Sequence, residues 1–126
     1  MIQSYFTRVR NKLKEISSLI KADTVTFEMV SSDMGMLRGR VAFIDGSVLD
    51  FRELLSTSEH DYRFHWMDRS NKLIVRWDTA PHYKNLDTFP HHRHLSNGVS
   101  SFGEMDLIAV LDYIKQEIVF KRSGHK

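Results

Sequence analysis

Four of the seven histidines of this chain lie close together, at His82, His91, His92 and His94. Histidine has the unperturbed side-chain pKa nearest neutrality, so it can accept or donate a proton near pH 7. Arginine can bind phosphate oxygens through two parallel N–H groups. A histidine cluster among cationic side chains therefore indicates either proton transfer beside a phosphate group or a metal site. The charged residues of the same segment are Arg76, Asp78, Lys84, Asp87 and Arg93.

The leading hypothesis is metal-independent cleavage of RNA. Attack of a 2′-hydroxyl on the adjacent phosphate needs a base, an acid and cationic groups for the charge that develops on the phosphoryl oxygens. We expect His82 and His92 to form the acid–base pair, in either order. Arg76 would stabilise the developing charge, and Asp78 would orient Arg76 or a histidine. The candidate catalytic residues are His82, His92, Arg76, Asp78, His91 and His94, and the candidate substrate-binding residues are Arg63, His65, Tyr83, Lys84 and Arg93.

A metal site is the second hypothesis. His92 and His94 project to the same side of an extended segment, and His82 could complete three ligands. The segment contains no glutamate, so Asp78 or Asp87 would have to supply a carboxylate. This spacing fits a metal poorly, so the sequence predicts no metal and no cofactor. Two further alternatives stay open: the histidines are structural, or the chain binds RNA or a protein partner without catalysis.

The composition limits the class of protein. The chain has 126 residues, the length of one domain, with 41% hydrophobic and 27% charged residues. It has no cysteine, which excludes disulfides and thiolate chemistry. The net charge of +2 is too small for nucleic-acid binding by bulk charge, so local basic regions matter more. No membrane span or signal peptide is visible, which predicts a cytoplasmic protein.

Two helices and a sheet are expected to position the histidine segment in an α+β fold. The predicted elements are a helix over 2–22, a meander of about five antiparallel strands over 24–79, a histidine-rich loop over 80–100 and a helix over 102–121. Both helices should pack on the sheet. The second helix should begin with a capping box at Ser101–Glu104. His60 comes just before a strand and is expected to be exposed.

Two hairpins can be predicted in more detail. Asp45-Gly46 is typical of a type I′ turn. A second turn centred on Arg69-Ser70 places one set of side chains on the core face, by pairing Trp66 with Leu73, Phe64 with Val75, and Tyr62 with Trp77. The opposite face then carries Arg63 directly across from Arg76. Because like charges in this position destabilise a sheet, this pairing predicts a compensating acid or an anionic ligand.

The stretch from Tyr62 to Leu95 resembles the TumE-type toxins of prokaryotic toxin–antitoxin systems. The resemblance rests on an R-W-D-x-A-P-H segment, Arg76–His82, and a P-H-H-x-H segment, Pro90–His94. It implies a small ribonuclease toxin of the broad RelE/barnase-like class, with a helix packed on an antiparallel sheet. It also implies a cognate antitoxin, often a DNA-binding protein. It assigns no catalytic role to any single residue.

Overall fold

The computed structural model describes residues 2–122, which form two helices and one antiparallel sheet of eight strands. In chain order the elements are α1 (Ile2–Glu15), β1 (Ile20–Asp23), β2 (Thr26–Ser31), β3 (Met34–Phe43), β4 (Val48–Ser56), β5 (His60–Met67), β6 (Leu73–Asp78), β7 (His92–Leu95), β8 (Gly98–Ser101) and α2 (Leu107–Arg122). The α+β class and the two packed helices are confirmed, and five strands, β2 to β6, lie within 24–79 as expected. Strands β1, β7 and β8 lie outside that range and were not predicted.

The sheet is a meander over most of its width. Strands β3 to β8 lie side by side in chain order, and β1 and β2 both pair with β3 along its other edge. Short connections between neighbouring antiparallel strands explain this order. Strand β6 therefore lies between β5 and β7, which fixes where the two predicted motifs meet.

Both helices cover one face of the sheet, which we call the inner face. Alternate residues of each central strand point into it, including Phe64, Trp66 and Trp77, which are all at most 1% exposed. The rings of Trp66 and Trp77 contact Tyr113 of α2 edge-on. The period of two along a strand places the residues between them on the opposite side, the outer face.

The first helix is shorter than predicted. Helix α1 ends at Glu15, and a turn of 3-10 helix over Ser17–Leu19 leads into β1. The two serines after Ile16 are poor residues for a helix interior, because their hydroxyls compete for backbone hydrogen bonds. Of the apolar residues that continued the helical pattern, Leu19 ends this turn and Ile20 begins β1, where it pairs with Phe43.

The second helix also begins later than predicted, and the capping box is wrong. Ser101 is the last residue of β8, and Glu104 lies in the connection before α2. The cap is Asp106, whose Oδ1 accepts a hydrogen bond from the N–H of Ala109 at 2.8 Å. An aspartate before the first helical residue accepts a hydrogen bond from a backbone N–H that has no partner within the helix. Its negative charge also interacts favourably with the positive end of the helix dipole.

Both hairpin turns differ from the predictions in the same way. In the first, the N–H of Gly46 donates to the carbonyl of Phe43 at 3.0 Å, and Gly46 has a φ of 89°. In the second, the N–H of Asn71 donates to the carbonyl of Asp68 at 2.9 Å, and Asn71 has a φ of 64°. Each loop has three residues and ends in a left-handed one, so the type I′ prediction at Asp45-Gly46 is wrong.

The longer second turn changes the strand register. Phe64 pairs with Trp77 and His65 with Arg76, while Arg63 pairs with Asp78 instead of Arg76. One residue of shift comes from the turn and one from an irregularity beside Met67. Because the shifts add to two, the predicted core face is kept while the predicted arginine pair is lost.

The segment over 80–100 is not a single loop. Its second part forms β7 and the first residues of β8, and β7 pairs with β6. Alternation of buried and half-buried residues over His92–Leu95 is the signature of a strand, but the histidines hid it because they are not strand-forming residues.

Candidate active site

Two rows of side chains cross the outer face where β4 to β7 lie side by side. The first row is Arg52, Arg63, Asp78 and His92. The second row is Asp50, His65, Arg76 and His94. Residues directly opposite on antiparallel strands have Cβ atoms about 4.5–5.5 Å apart. The pairing of β6 with β7 therefore places the arginine and aspartate of one motif beside two histidines of the other.

Asp78 is the centre of this cluster. Its Oδ2 accepts a hydrogen bond from Nε of Arg76 at 3.0 Å, and its Oδ1 accepts one from the N–H of Ala80 at 3.1 Å. Nε2 of His92 lies 2.5 Å from Oδ1, and Nε2 of His94 lies 3.5 Å from Oδ2. The Asp78 side chain is only 7% exposed, so the carboxylate depends on these neighbours for its stabilisation. We call Arg76, Asp78, His92 and His94 the Asp78 cluster.

The orientation of the His92 ring is fixed by a hydrogen bond to the backbone. Its Nδ1 donates to the carbonyl of Pro90 at 2.9 Å, because a carbonyl can only accept. Nε2 is thereby left to face Asp78, yet it makes no aligned hydrogen bond within the described part of the chain. The ring of Tyr83 lies 5.0 Å from that of His92 and 5.6 Å from that of His94. At 2% exposed, His92 is out of reach of a substrate while Tyr83 stays in place.

Two histidines of the second row are held neutral near pH 7. Burial lowers the pKa of His94, and the charge of Arg76 lowers it further. Burial likewise lowers the pKa of His65, with Arg63 and Arg76 acting in the same direction. His65 and His94 therefore add no positive charge to this face at neutral pH.

A groove of about 800 Å³ lies between the outer face and the segment that follows β6. Arg52, Arg63 and Arg76 line its floor, and His82 and Phe89 line its rim. His82 is exposed, and Phe89 is 41% exposed despite being aromatic. Arg52 was missed by the sequence analysis, although alternation along β4 places it on the outer face opposite Arg63.

Three of the predicted site residues lie elsewhere. His91 stacks on Tyr62, with its Nδ1 2.8 Å from the tyrosine hydroxyl, and so contacts a core residue. The guanidinium of Arg93 lies 4.4 Å from the ring centre of Phe102 on the inner face. Lys84 is exposed on the connection between β6 and β7.

Three members of the Asp78 cluster could hold a metal ion. Asp78, His92 and His94 each offer one ligand atom, and these atoms lie within 4.8 Å of one another. A carbonyl that accepts the other N–H of His92 is a usual neighbour of a metal-bound histidine. Arg76 makes metal binding less favourable, because its guanidinium contacts the same Asp78 carboxylate and its positive charge repels a cation. His82 and Asp87, which the sequence offered as ligands, are outside this group.

A second polar cluster lies at the start of β5, and the sequence analysis did not predict it. Nε2 of His60 lies 2.6 Å from Glu53, and its Nδ1 lies 2.5 Å from Glu104. Tyr5 of α1 donates to the same Glu53 at 2.6 Å. The expectation that His60 is exposed is wrong, since its side chain is only 18% exposed. We call Tyr5, Glu53, His60 and Glu104 the Glu53 cluster.

The Glu53 cluster joins the core to the start of α2. Glu53 is 0% exposed, and burial raises its pKa above the ordinary value. Burial lowers the pKa of His60, but its hydrogen bonds to Glu53 and Glu104 raise it by more, so the net pKa is raised. The arrangement is a histidine clamped between two carboxylates, with no nitrogen left to act on a substrate.

A family of known proteins matches most of this chain. The model of the family described as Toxin TumE matches residues 9–119. The chain therefore belongs to the TumE toxin family, as its motifs predicted, and a toxin of this kind implies a cognate antitoxin as partner. Searches of curated proteins and of solved structures found no match. Neither helix described within residues 2–122 has the length and apolar character needed to cross a membrane.

Proposed function

We propose that this toxin is an endoribonuclease that cleaves RNA without a metal ion. The observation that carries the proposal is the position of Arg76. It is held by a buried carboxylate at the floor of a basic groove whose rim exposes a histidine. Guanidinium groups preorganised at a phosphate stabilise the charge that develops during its reaction.

The chemistry follows from which groups reach the groove. His82 is exposed there and is proposed to take the proton of the 2′-hydroxyl as its oxygen attacks phosphorus. The bond from phosphorus to the 5′-oxygen breaks, and that oxygen takes a proton from water. Arg76 and Arg63 neutralise the phosphoryl oxygens. The products are a 2′,3′-cyclic phosphate and a 5′-hydroxyl end.

Burial changes the role that we propose for His92. The sequence suggested it as the second acid–base group, but its ring is covered by Tyr83 and contacts Asp78. We propose that His92 and His94 are positioning residues, which hold Asp78 so that Asp78 can hold Arg76. Loss of His92 should then lower the rate through the placement of Arg76.

The test compares purified parent, His82→Ala and His92→Ala on a labelled RNA, in the presence of a chelator. We expect His82→Ala to cleave roughly 100-fold more slowly, as is usual for an acid–base group. Arg8→Gln is the control, since Arg8 is exposed on α1, away from the groove. The assignment fails if His82→Ala cleaves RNA and arrests growth as strongly as the parent.

A second candidate function is a metal-dependent phosphoesterase or nuclease. The specific observation in its favour is that the ligand atoms of Asp78, His92 and His94 converge. In that case a chelator would abolish cleavage, and added zinc or manganese would restore it. Chelator-resistant cleavage would exclude this alternative, and RNA binding that never yields fragments would favour a non-catalytic module.

We propose that the antitoxin is a DNA-binding protein and that the pair acts in the cytoplasm. A short neighbouring gene for a DNA-binding protein that co-purifies with this chain would support the proposal. A neighbouring partner with no affinity for DNA would refute it.

A further inference from the structure

A row of three arginines crosses the outer face beside the groove. Arg38 of β3 lies directly opposite Arg52 of β4, and Arg52 lies directly opposite Arg63 of β5. All three side chains are exposed. Neighbouring strands are about 4.8 Å apart, so the row spans roughly 10 Å in a straight line. We call these three residues the arginine row.

The arginine row has no neutralising partner in the described structure. None of its guanidinium groups forms an ion pair or side-chain hydrogen bond with any residue between 2 and 122. Among the nearby acids, Asp50 pairs with Arg40 at 3.1 Å and Asp78 pairs with Arg76 at 3.0 Å, while Asp61, which also lines the groove, accepts a hydrogen bond from Thr79 at 3.4 Å. Like charges directly opposite one another destabilise a sheet, so the row is explained by an anionic ligand better than by the fold.

The arginine row leads into the candidate active site. Arg52 and Arg63 line the groove, while Arg38 and Arg52 line an adjoining cavity of about 360 Å³. Because Arg52 belongs to both, the positive surface continues past the groove across β4 and β3. At the rim of the groove Phe89 is 41% exposed. A positive track beside an exposed aromatic ring is typical of proteins that bind single-stranded nucleic acid, whose bases stack on such rings.

We propose that the arginine row binds the phosphate backbone of single-stranded RNA that extends from the cleavage groove across β5, β4 and β3, with a base stacked on Phe89. This inference deepens the proposed function and rests on it for the identity of the polymer as RNA. A single row of guanidinium groups matches one phosphate chain, whereas a duplex presents two. The fork of arginine donors also matches phosphate geometry more closely than a lysine would.

Binding is measured apart from cleavage by using an RNA that cannot be cut. The probe is a fluorescein-labelled 2′-O-methyl RNA of about twelve nucleotides, which lacks the attacking hydroxyl and is long enough for a single-strand site. Fluorescence anisotropy gives its dissociation constant in potassium chloride between about 50 and 200 mM. The variants are Arg38→Gln/Arg52→Gln and, with the charge kept, Arg38→Lys/Arg52→Lys.

A charge-matched control separates the row from bulk charge. Arg8→Gln/Lys14→Gln also removes two positive charges, but from the exposed side of α1, which packs on the opposite face of the sheet. All substituted positions are exposed, so thermal unfolding followed by circular dichroism should give a melting temperature no lower than the parent's, and relief of the arginine repulsion should raise that of Arg38→Gln/Arg52→Gln slightly.

The expected results are quantitative. Each phosphate contact on a single strand contributes about 0.7 to the slope of log affinity against log salt, so Arg38→Gln/Arg52→Gln should lower the slope by about 1.4. The same relation gives an affinity loss of up to roughly 50-fold near 50 mM salt. The lysine variant and the α1 control should keep the parent's slope. Phe89→Ala should weaken binding about fivefold or more without changing the slope.

Equal slopes for the arginine-to-glutamine variant and the α1 control would overturn the proposal. The proposal would also be overturned if Arg38→Gln/Arg52→Gln binds RNA like the parent but no longer binds the antitoxin, because the arginine row would then bind an acidic protein. If the parent binds the probe with the expected slope but leaves ordinary RNA intact, the proposed ribonuclease activity is refuted, while RNA binding by the arginine row is supported. If the parent cleaves RNA but Arg38→Gln/Arg52→Gln binds the probe as tightly as the parent, only the proposed role of the arginine row in RNA binding is refuted.

Discussion

Removal of His60 should destabilise the fold in a way that depends on pH and on Glu53. His60 holds two carboxylates, and one of them, Glu53, is 0% exposed. In His60→Ala the Glu53 carboxylate keeps only the hydrogen bond from Tyr5. Breaking a buried ion pair by removing one partner costs about 3–5 kcal/mol, so we expect a loss near 3 kcal/mol at mildly acidic pH. Glu104 adds little, because its side chain is 58% exposed.

The sign of the pH dependence follows from the direction of the pKa shifts. The folded pKa of His60 is raised, so its contribution is complete below the unfolded value of about 6.5 and is lost as the pH rises through the folded value. The difference in unfolding free energy between parent and His60→Ala should therefore shrink between about pH 6 and pH 9.

Urea unfolding measures this difference at both pH values, with the fluorescence of buried Trp66 and Trp77 as the signal. His82→Ala is the matched control, and because His82 is exposed it should change the unfolding free energy by less than about 0.5 kcal/mol. The double variant Glu53→Gln/His60→Ala should lose less than the sum of the two single variants, since no buried charge is left unpaired.

Two results would refute this reasoning. One is a difference between parent and His60→Ala that is the same at both pH values, which would mean that packing and not charge is lost. The other is a double variant whose loss equals or exceeds the sum of the single losses, which would mean that Glu53 and His60 are not coupled.

Three smaller predictions concern the turns and the cap, and each is checked by the free energy of urea unfolding. Asp106→Ala removes the hydrogen bond to the N–H of Ala109 and should cost about 1 kcal/mol. Gly46→Ala should cost about 1 kcal/mol or more, since φ is 89° and a Cβ would lie 2.9 Å from Nε of Arg69. Asn71→Gly should be neutral within about 0.5 kcal/mol, because its φ of 64° suits glycine, whereas Asn71→Val should be clearly destabilising.

The core was predictable because the error in register was two residues, which leaves every side chain on its predicted face. Phe64, Trp66 and Trp77 were placed on the core face and are buried there, although each pairs with a residue other than the predicted one. The error in register came from a turn that closes with three residues instead of two and from the irregularity beside Met67. Turn chemistry allowed both lengths, since Asn71 tolerates the left-handed conformation that the longer loop needs.

The candidate site was predictable in composition but only partly in arrangement. The motifs named Arg76, Asp78, His92 and His94, and strand pairing brings these four together. That pairing was hidden because β7 contains two histidines and an arginine, which have no strand preference to reveal it. The burial of His92 depends on Tyr83, a contact made by the connection after β6 that no local pattern encodes.

The two histidines of the Asp78 cluster are carried by β7, which is joined to the rest of the sheet by only three pairs of residues with β6. Beyond it lies only the four-residue strand β8 at the edge of the sheet. Native proteins open in cooperative parts, and short elements at an edge open at lower cost than the core. The free energy that keeps Asp78 in contact with His92 is therefore that of the β7–β8 hairpin, and conditions that leave the two helices and the tryptophan core folded can already take the cluster apart.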